Sequence, residues 1–537
     1  MAYVKPGVEV KQVQTTVSPT LSAPSLSSAV VGLCYNVVDF TYDGNGVEYE
    51  YECTYSGAEL NVSLSGLVDA DGDGVHTDSV YVSLHNLEYG GFKHLTPSTH
   101  FTASTNQVVI SGSIDAAFST SNLGTVYVGY REKRFDVSKT LNLDSISSIV
   151  AALGKITPFN PLAYGAKQAL QNAGASVWTY GVTDNTSTGH GLAAGELESK
   201  DIYSIAPLSS NSVDETWEAH CTNLSTPENK RERIVFNSRV TPWKKTDGDA
   251  AQTPADIDKT VTATVMRDAA DGNNEKRNIW IMPDACYVQY QLDIAQTKKS
   301  YINAMFPASG ITSTLGSAAF CKWNGNQVVN GVQYYDGIDI DDTVWTALML
   351  SKDTTSVNVL VPVPGYYISA CVAGMVSGLP VQQGFTNYAM GGDIKELYGS
   401  NFSFTEAQLD KIASGGNYIM SQSNVVAPIV SRHQLTTDNR SVEKQELSIV
   451  KALDYVAKFV RDGVSPYIGT YNITPAFIKL VKTVLNAHGT FLRSNGIVAD
   501  LKVLKVEQNV NQKDQILVDL NVLVQYPVNY IKMTLQF

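Results

Sequence analysis

Across residues 160–283 short apolar runs alternate with stretches of helical period, and this alternation narrows the possible folds more than any other feature of the chain. "NPLAYGAKQALQNAG", closed by Gly174, predicts a helix, "SVWTYGV" a strand, and a helix follows near 190–200. "DIYSIAPL" then reads as a strand, residues 213–224 as a helix, and "RIVFNSR" and "NIWIMP" as strands. Strands that are each separated by a helix pair in parallel, so a mostly parallel sheet covered on both faces is expected. "AVVGLCYNVV", residues 29–38, supplies another buried strand, and "VNVLVPVP" extends the pattern. The polar stretch 244–275 and the stretch 310–345 read as long loops or excursions from the sheet.

The texture on either side of this block is different. Residues 1–28 alternate weakly through Val8 and Val10 and run into "SPTLSAPSLSS", the pattern of an extended arm. Between 41 and 131, runs such as "ELNVSLSGLV" and "SVYVSLHNL" are separated by Gly, Asp, Asn and Ser, which predicts a β-rich surface insertion. After a helix near 405–414, "SVEKQELSIVKALDYVAKFVRDG" places Leu447, Val450, Leu453, Ala457 and Val460 on one helical stripe, with Gly463 as its stop. A second helix starts with Thr474 as N-cap and Pro475 at its first position, turns Phe477, Val481, Val484, Leu485 and Leu492 inward, and ends before Gly496. "QILVDLNVLVQY" alternates without a break, Pro527 interrupts, and the closing "YIKMTLQF" alternates again through Ile531, Met533, Leu535 and Phe537.

The expected fold is therefore a multi-domain α/β protein. A central α/β domain spans 29–40 and 132–380, the insertion 41–131 interrupts it, and an α+β C-terminal domain spans 381–526, flanked by arms at 1–28 and 527–537. An alternating segment with no partner next to it in sequence is completed by an edge strand elsewhere. Two such arms fit exchange between neighbouring copies, with Val8, Val10, Ile531, Met533, Leu535 and Phe537 as the exchanged side chains. A head-to-tail contact of that kind builds a helical polymer when its rotation does not close.

A formal net charge of -13 argues against nucleic acid as a partner, because replacing counterions along phosphates needs an excess of Lys and Arg. No apolar run reaches the length of a membrane span and the N-terminus has no signal-peptide core, so folding in a cytoplasm without membrane insertion is expected. The six cysteines, Cys34, Cys53, Cys221, Cys286, Cys321 and Cys371, lie far apart and read as buried apolar residues.

Chemistry-bearing clusters are few. Asp69, Asp71 and Asp73 with Gly74 have the spacing that opens a calcium loop, but the twelfth position is Val80, and an acidic turn between strands is the plainer reading. His488 falls on an apolar stripe as a core histidine would, and His85, His94 and His100 lie in the insertion without metal-ligand spacing. No nucleophile, zinc or phosphate-loop motif is present, and no cofactor is expected. Lys444, Lys451, Lys458 and Arg461 share one face of the expected 441–462 helix; this is either a solvated face or a docking surface for an acidic partner.

Several segments resemble the contractile tail sheath proteins of myovirus-type bacteriophages and related injection machines. They are "VKPGVEVKQV" with "SSAVVG", "NPLAYGAKQALQNAGASVWTYGV", "VAGMVSGLPVQQGFTNYAM" with "GDIKELYG", "RHQLTTDNRSVEKQELSIVKALDYVAKFVRDG", "YIGTYNITPAFIKLVKTVLNAHGTFLRSNG" and the final "VLVQYPVNYIKMTLQF". The insertion at 41–131 lies outside the resemblance. The resemblance implies a virion tail subunit, assembled in the host cytoplasm, that stacks as hexameric rings around a tail tube protein between baseplate and tail terminator proteins. It also implies a metastable extended polymer that contracts without nucleotide, with the 441–462 cations toward the tube. Two other readings stay open: a sheath-like tail initiator or terminator with the same fold, and an α/β enzyme built on the central domain.

Overall fold

The computed structural model describes residues 26–37, 136–158, 160–209, 213–242, 258–293, 356–397, 404–424, 426–529 and 531–535, and the backbone of short strands within 46–133 and 327–334. Val8, Val10, Asp69, Asp71, Asp73 and Phe537 lie outside the described residues. The chain forms two compact units. The larger comprises Ser27–Leu379 and Thr386–Arg440, and the smaller unites the chain up to Leu26 with Pro380–Phe385 and Ser441–Phe537.

The larger unit is built on an eight-stranded sheet. Its strands are β1 (Ser28–Gly32), β2 (Leu141–Leu143), β3 (Val177–Gly181), β4 (Ser204–Pro207), β5 (Ile234–Ser238), β6 (Asn278–Met282), and two contributed later in the chain, Tyr418–Ser421 and Val430–His433. In space the order is β2-β3-β1-β4-β5-β6, then Tyr418–Ser421, then Val430–His433. The inner six run parallel, and the outermost strand on each side is antiparallel. Ala29, Val30 and Val31 are all fully buried, because successive side chains of β1 point to opposite covered faces. Toward one face lie Ala29 and Val31, packed with the helices α3 (Ser187–Leu197) and α4 (Asp214–Leu224). On the other, Val30 meets α2 (Pro161–Ala173), preceded by α1 (Ile146–Leu153). The later helix Tyr366–Gly378 lies against α2 so closely that a Cβ on Gly374 or Gly378 would overlap the carbonyls of Ala169 and Asn172.

Several expectations need correction. Lys259–Asn273, within the stretch read as a loop, is the helix α5: Asp258 accepts from Thr260 and Val261 N–H groups at its start, and Thr262, Ala263, Met266 and Ala270 form its buried face. Residues 356–364 leave the parallel pattern and lie antiparallel to Ala285–Asp293, which pairs on its other side with Ile394–Leu397. Residues 386–440, expected in the C-terminal domain, belong to the larger unit, since Tyr418–Ser421 pairs with β6. The run 29–38 splits, with Tyr35–Val37 pairing instead with Arg131–Lys133. The described strands between 46 and 129 pair antiparallel in sheets of four and three strands.

The smaller unit contains two long helices and a hairpin. Val442–Gln445 forms one helical turn, Glu446 breaks it with extended dihedrals, and α8 (Leu447–Val464) then runs past Gly463; we number it after α6 (Tyr366–Gly378) and α7 (Glu406–Ala413). Leu447 and Val450 of the expected stripe are buried, as is every residue from Leu447 to Ala452; beyond them the buried side of α8 is Tyr455, Val456, Phe459 and Gly463, while Ala457 is exposed and Leu453 and Val460 are only half-buried. The expected stripe therefore holds over the first turn and departs from the buried side at Leu453, Ala457 and Val460. Next comes α9 (Pro475–Ser494), capped as expected by Thr474, whose hydroxyl accepts from Phe477 N at 3.1 Å. Phe459 stacks on Tyr455 and Phe491 and lies 4.9 Å from the ring of His488, which is fully buried. Gly463 is required there, since a Cβ would fall inside the His488 ring.

Candidate functional site: the C-terminal hairpin, tail and basic surface

After α9 the chain forms a hairpin from Val498–Gln508 and Ile516–Val524. Its register sets Val498 opposite Val524, Leu501 opposite Val522, Val503 opposite Leu520 and Val506 opposite Val518, so one face is apolar as far as Val506 and Val518. Bulges after Val498 and Val503 keep that face continuous. Gly489 of α9 lets the helix approach Leu501 closely, and Val498, Leu501 and Val524 are buried at this end. Toward the turn the cover is lost: Val518 is 37% exposed and Val510 is exposed, and off this face Leu504 and Leu523 are exposed as well. Among the described residues these two strands pair only with each other, which leaves two outer edges with free N–H and C=O groups.

The segment beyond the hairpin is first tied down and then released. Tyr526 donates its hydroxyl to Glu443 at 2.6 Å, and Asn529 donates its side-chain amide to Glu446 at 2.8 Å. The Tyr526 bond holds the Glu443 carboxyl below its ordinary range. Ile531, Met533 and Leu535 follow at 76%, 84% and 88% exposure and join no strand. Burying each would contribute ~1.5–3 kcal/mol, and each ladder hydrogen bond ~0.5–1.5 kcal/mol net. An open-edged hairpin and an apolar tail of strand period are thus present on one chain and not joined to each other.

The basic stripe is dispersed. Lys444 lies on the separate helical turn, and Lys458 and Arg461 are half-buried on α8. Lys451, expected on the surface, is fully buried beside the ring of Phe385 at 5.3 Å, with Nζ 3.4 Å from the Pro380 carbonyl, and burial pulls its pKa down to about 7. A cationic surface that the sequence reading passed over lies on α9, where Lys479, Lys482 and Arg493 are exposed and no Asp or Glu occurs from 475 to 494. The missing acids were the legible signal. Residues 441–537 hold eleven Lys and Arg against eight Asp and Glu, in a chain of net charge -13.

In open α/β sheets ligands bind beyond the carboxyl ends of the strands. Here Leu208 presses on Gly32 at the end of β1, and Val137 on Gly181 at the end of β3, so apolar side chains fill that position. Cys34, Cys221, Cys286 and Cys371 are buried free thiols, and burial pushes that of Cys221 up to about 12, away from thiolate chemistry. Among the described residues no group of three or more His, Cys, Asp or Glu is placed to hold a metal, and no helix is long and apolar enough to cross a membrane.

No protein-family model matches the chain, and no curated protein matches it. Solved structures it is similar to include sheath proteins of contractile injection systems. Against the sheath complex of the extracellular contractile injection system PVC in its contracted state the TM-score is 0.47 at 10% identity, covering 74% of this chain and 86% of that one. Against the contracted helical sheath of the anti-feeding prophage it is 0.46 at 9% identity, covering 75% and 89%. A sheath tail protein of Listeria innocua gives 0.41 at 9% identity, covering 95% and 94%.

Proposed function

We propose that this chain is the structural subunit of a contractile tail sheath, polymerising as stacked hexameric rings around a tail tube. The observation that carries the reading is the pairing of an open-edged hairpin with an exposed tail, Ile531, Met533 and Leu535, of strand period. Each copy donates its tail, with Phe537, to the hairpin edge of a neighbour, and the arm bearing Val8 and Val10 fills the other edge. Two edges and two arms match in number. Because no copy closes on its own tail, the contact is heterologous and propagates. The extended cylinder is held by a kinetic barrier, and contraction on a signal from the baseplate buries more surface and drives the tube through the host envelope. The tail terminator caps the other end, and assembly takes place in the host cytoplasm.

Toward the tube we assign Lys444, Lys458, Arg461, Lys479 and Lys482 as contacts for an acidic surface, with Lys451 withdrawn because it is buried. The filled carboxyl ends of β1 and β3 favour this structural role over an enzyme. Electron microscopy of the purified protein tests the proposal. Full-length chain should form regularly striated tubes, while a chain lacking 530–537 should stay monomeric with both units folded. Tubes from the truncated chain would refute tail exchange, and caps or single rings from the intact chain would favour an initiator or terminator.

A further inference from the structure

The larger unit contains a buried polar chain that polymerisation does not require. Trp217 of α4 is fully buried, and its indole stands edge-on to two imidazoles: His190 of α3, with centroids 6.0 Å apart, and His220 of its own helix, at 5.5 Å. Trp217 Nε1 donates to His190 Nδ1 at 3.1 Å. An indole N–H cannot accept, so Nδ1 carries the lone pair and the ring proton sits on Nε2, 3.3 Å from Asn185 Oδ1. On the other side Arg233 places one guanidinium nitrogen 2.9 Å from His220 Nε2. A guanidinium only donates, so this nitrogen must also be unprotonated. Arg233 is itself fully buried and donates to the carbonyls of Glu198 and Lys200, just beyond the end of α3, at 2.9 and 2.6 Å. Each histidine is thus kept neutral by a partner that can only give a proton to the bond.

We propose that His190, Trp217, His220 and Arg233 form an acid-released latch holding α3 and α4 on the sheet. A proton on His190 Nδ1 would set two N–H groups against each other, and a proton on His220 Nε2 would set a cation against the guanidinium. The carboxylate facing His190 is Asp184, itself engaged by the backbone and hydroxyl of Thr186. Around Arg233 stand Arg231, Asp201 and Glu198. Burial pulls His190 down to about 4 from the ordinary 6.5, and burial together with Arg233 does the same for His220. The released form takes up protons from about pH 6.5 downward while the closed form resists until about 4. The latch therefore contributes in full above pH 6.5 and is progressively lost as pH falls through that window.

The test uses full-length protein with histidine Cε1 labelled for NMR, titrated from pH 7.5 to 4, alongside hydrogen exchange corrected for its intrinsic pH dependence. The resonances of His190 and His220 should not titrate near 6.5, and exchange should accelerate in residues 187–224 below about pH 5 while α2 stays protected. In the paired variant His190→Gln with His220→Gln, whose amide oxygens can accept the same bonds, the onset should fall by about one pH unit or more. Titration of either ring near 6.5, acceleration spread evenly over the unit, or an unmoved onset in the paired variant would overturn the latch. If that variant does not fold, Trp217→Phe, which removes the donor to His190, should raise the onset, and an unchanged onset there would be equally fatal.

Discussion

The larger unit ends its main sheet on both sides with a short antiparallel strand, Leu141–Leu143 at one edge and Val430–His433 at the other, whereas in the smaller unit a long two-stranded hairpin has no further strand paired to it among the described residues. Short or covered edges keep a sheet from recruiting strands, and long exposed ones invite it. Under the proposed strand exchange, the contrast separates a region whose folding is finished within one chain from a region finished by something added to it. Substitutions should accordingly divide into those that change stability and those that change assembly.

The sharpest way to break this division is to replace Met533 and Leu535 together by Ser. Losing the burial of both should weaken each intersubunit contact by ~3–6 kcal/mol, so the concentration needed for polymer, read by sedimentation, should rise by at least about a hundredfold. The melting temperature of the monomer should not move. Conversely, Phe236→Ala, at a fully buried position of β5, should cost ~3–5 kcal/mol in denaturant unfolding of the larger unit. Polymerisation at temperatures where that unit stays folded should be unaffected. Gly463→Ala would gain helix propensity on an open surface, but against the His488 ring it should destabilise the smaller unit by ~1–3 kcal/mol.

Lys451 gives a pH signature to the smaller unit alone. Its pKa is about 7 when folded, against an ordinary value of 10.5, so the unfolded chain binds the extra proton between these pH values. Stability of this unit should rise with pH across that window, by at most about 1.4 kcal/mol per pH unit, and Lys451→Met should flatten the dependence. The smallest change expected is from Thr474→Ala, which removes the cap of α9 and should cost ~1 kcal/mol in the same measurement. An effect of Thr474→Ala on the larger unit would blur the division between the two.

The sequence made the parallel sheet legible because strands and helices alternate with clear turn residues, and it made α9 legible through Thr474 and Pro475. Helix α5 is hidden in the sequence: of its buried face, Thr262, Ala263 and Ala270 are small or β-branched, and Met266 alone gives only a weak periodic signal. The break at Glu446 has neither Gly nor Pro to announce it, and because α8 is buried all round from Leu447 to Ala452, Lys451 lies inside; only beyond it does the expected stripe part from the buried side. Residues 356–364 are as apolar as a central parallel strand, and pairing with Ala285–Asp293, a choice made between distant segments, placed them in another sheet. Of the site, the alternation of the tail and of Ile516–Val524 is readable, while the cations of α9 are marked in the sequence only by the absence of Asp and Glu from 475 to 494.

The polypeptide passes between the two units after Leu26, after Leu379, after Phe385 and after Arg440. Phe385, fully buried beside Lys451, anchors the short middle passage inside the smaller unit. Traction on the C-terminus therefore reaches the larger unit by more than one route: directly along the backbone at Arg440, and through the wedged loop Pro380–Phe385, which must be extracted before the parts can be pulled asunder. A protease nick between Arg440 and Ser441 should leave the fragments clinging together.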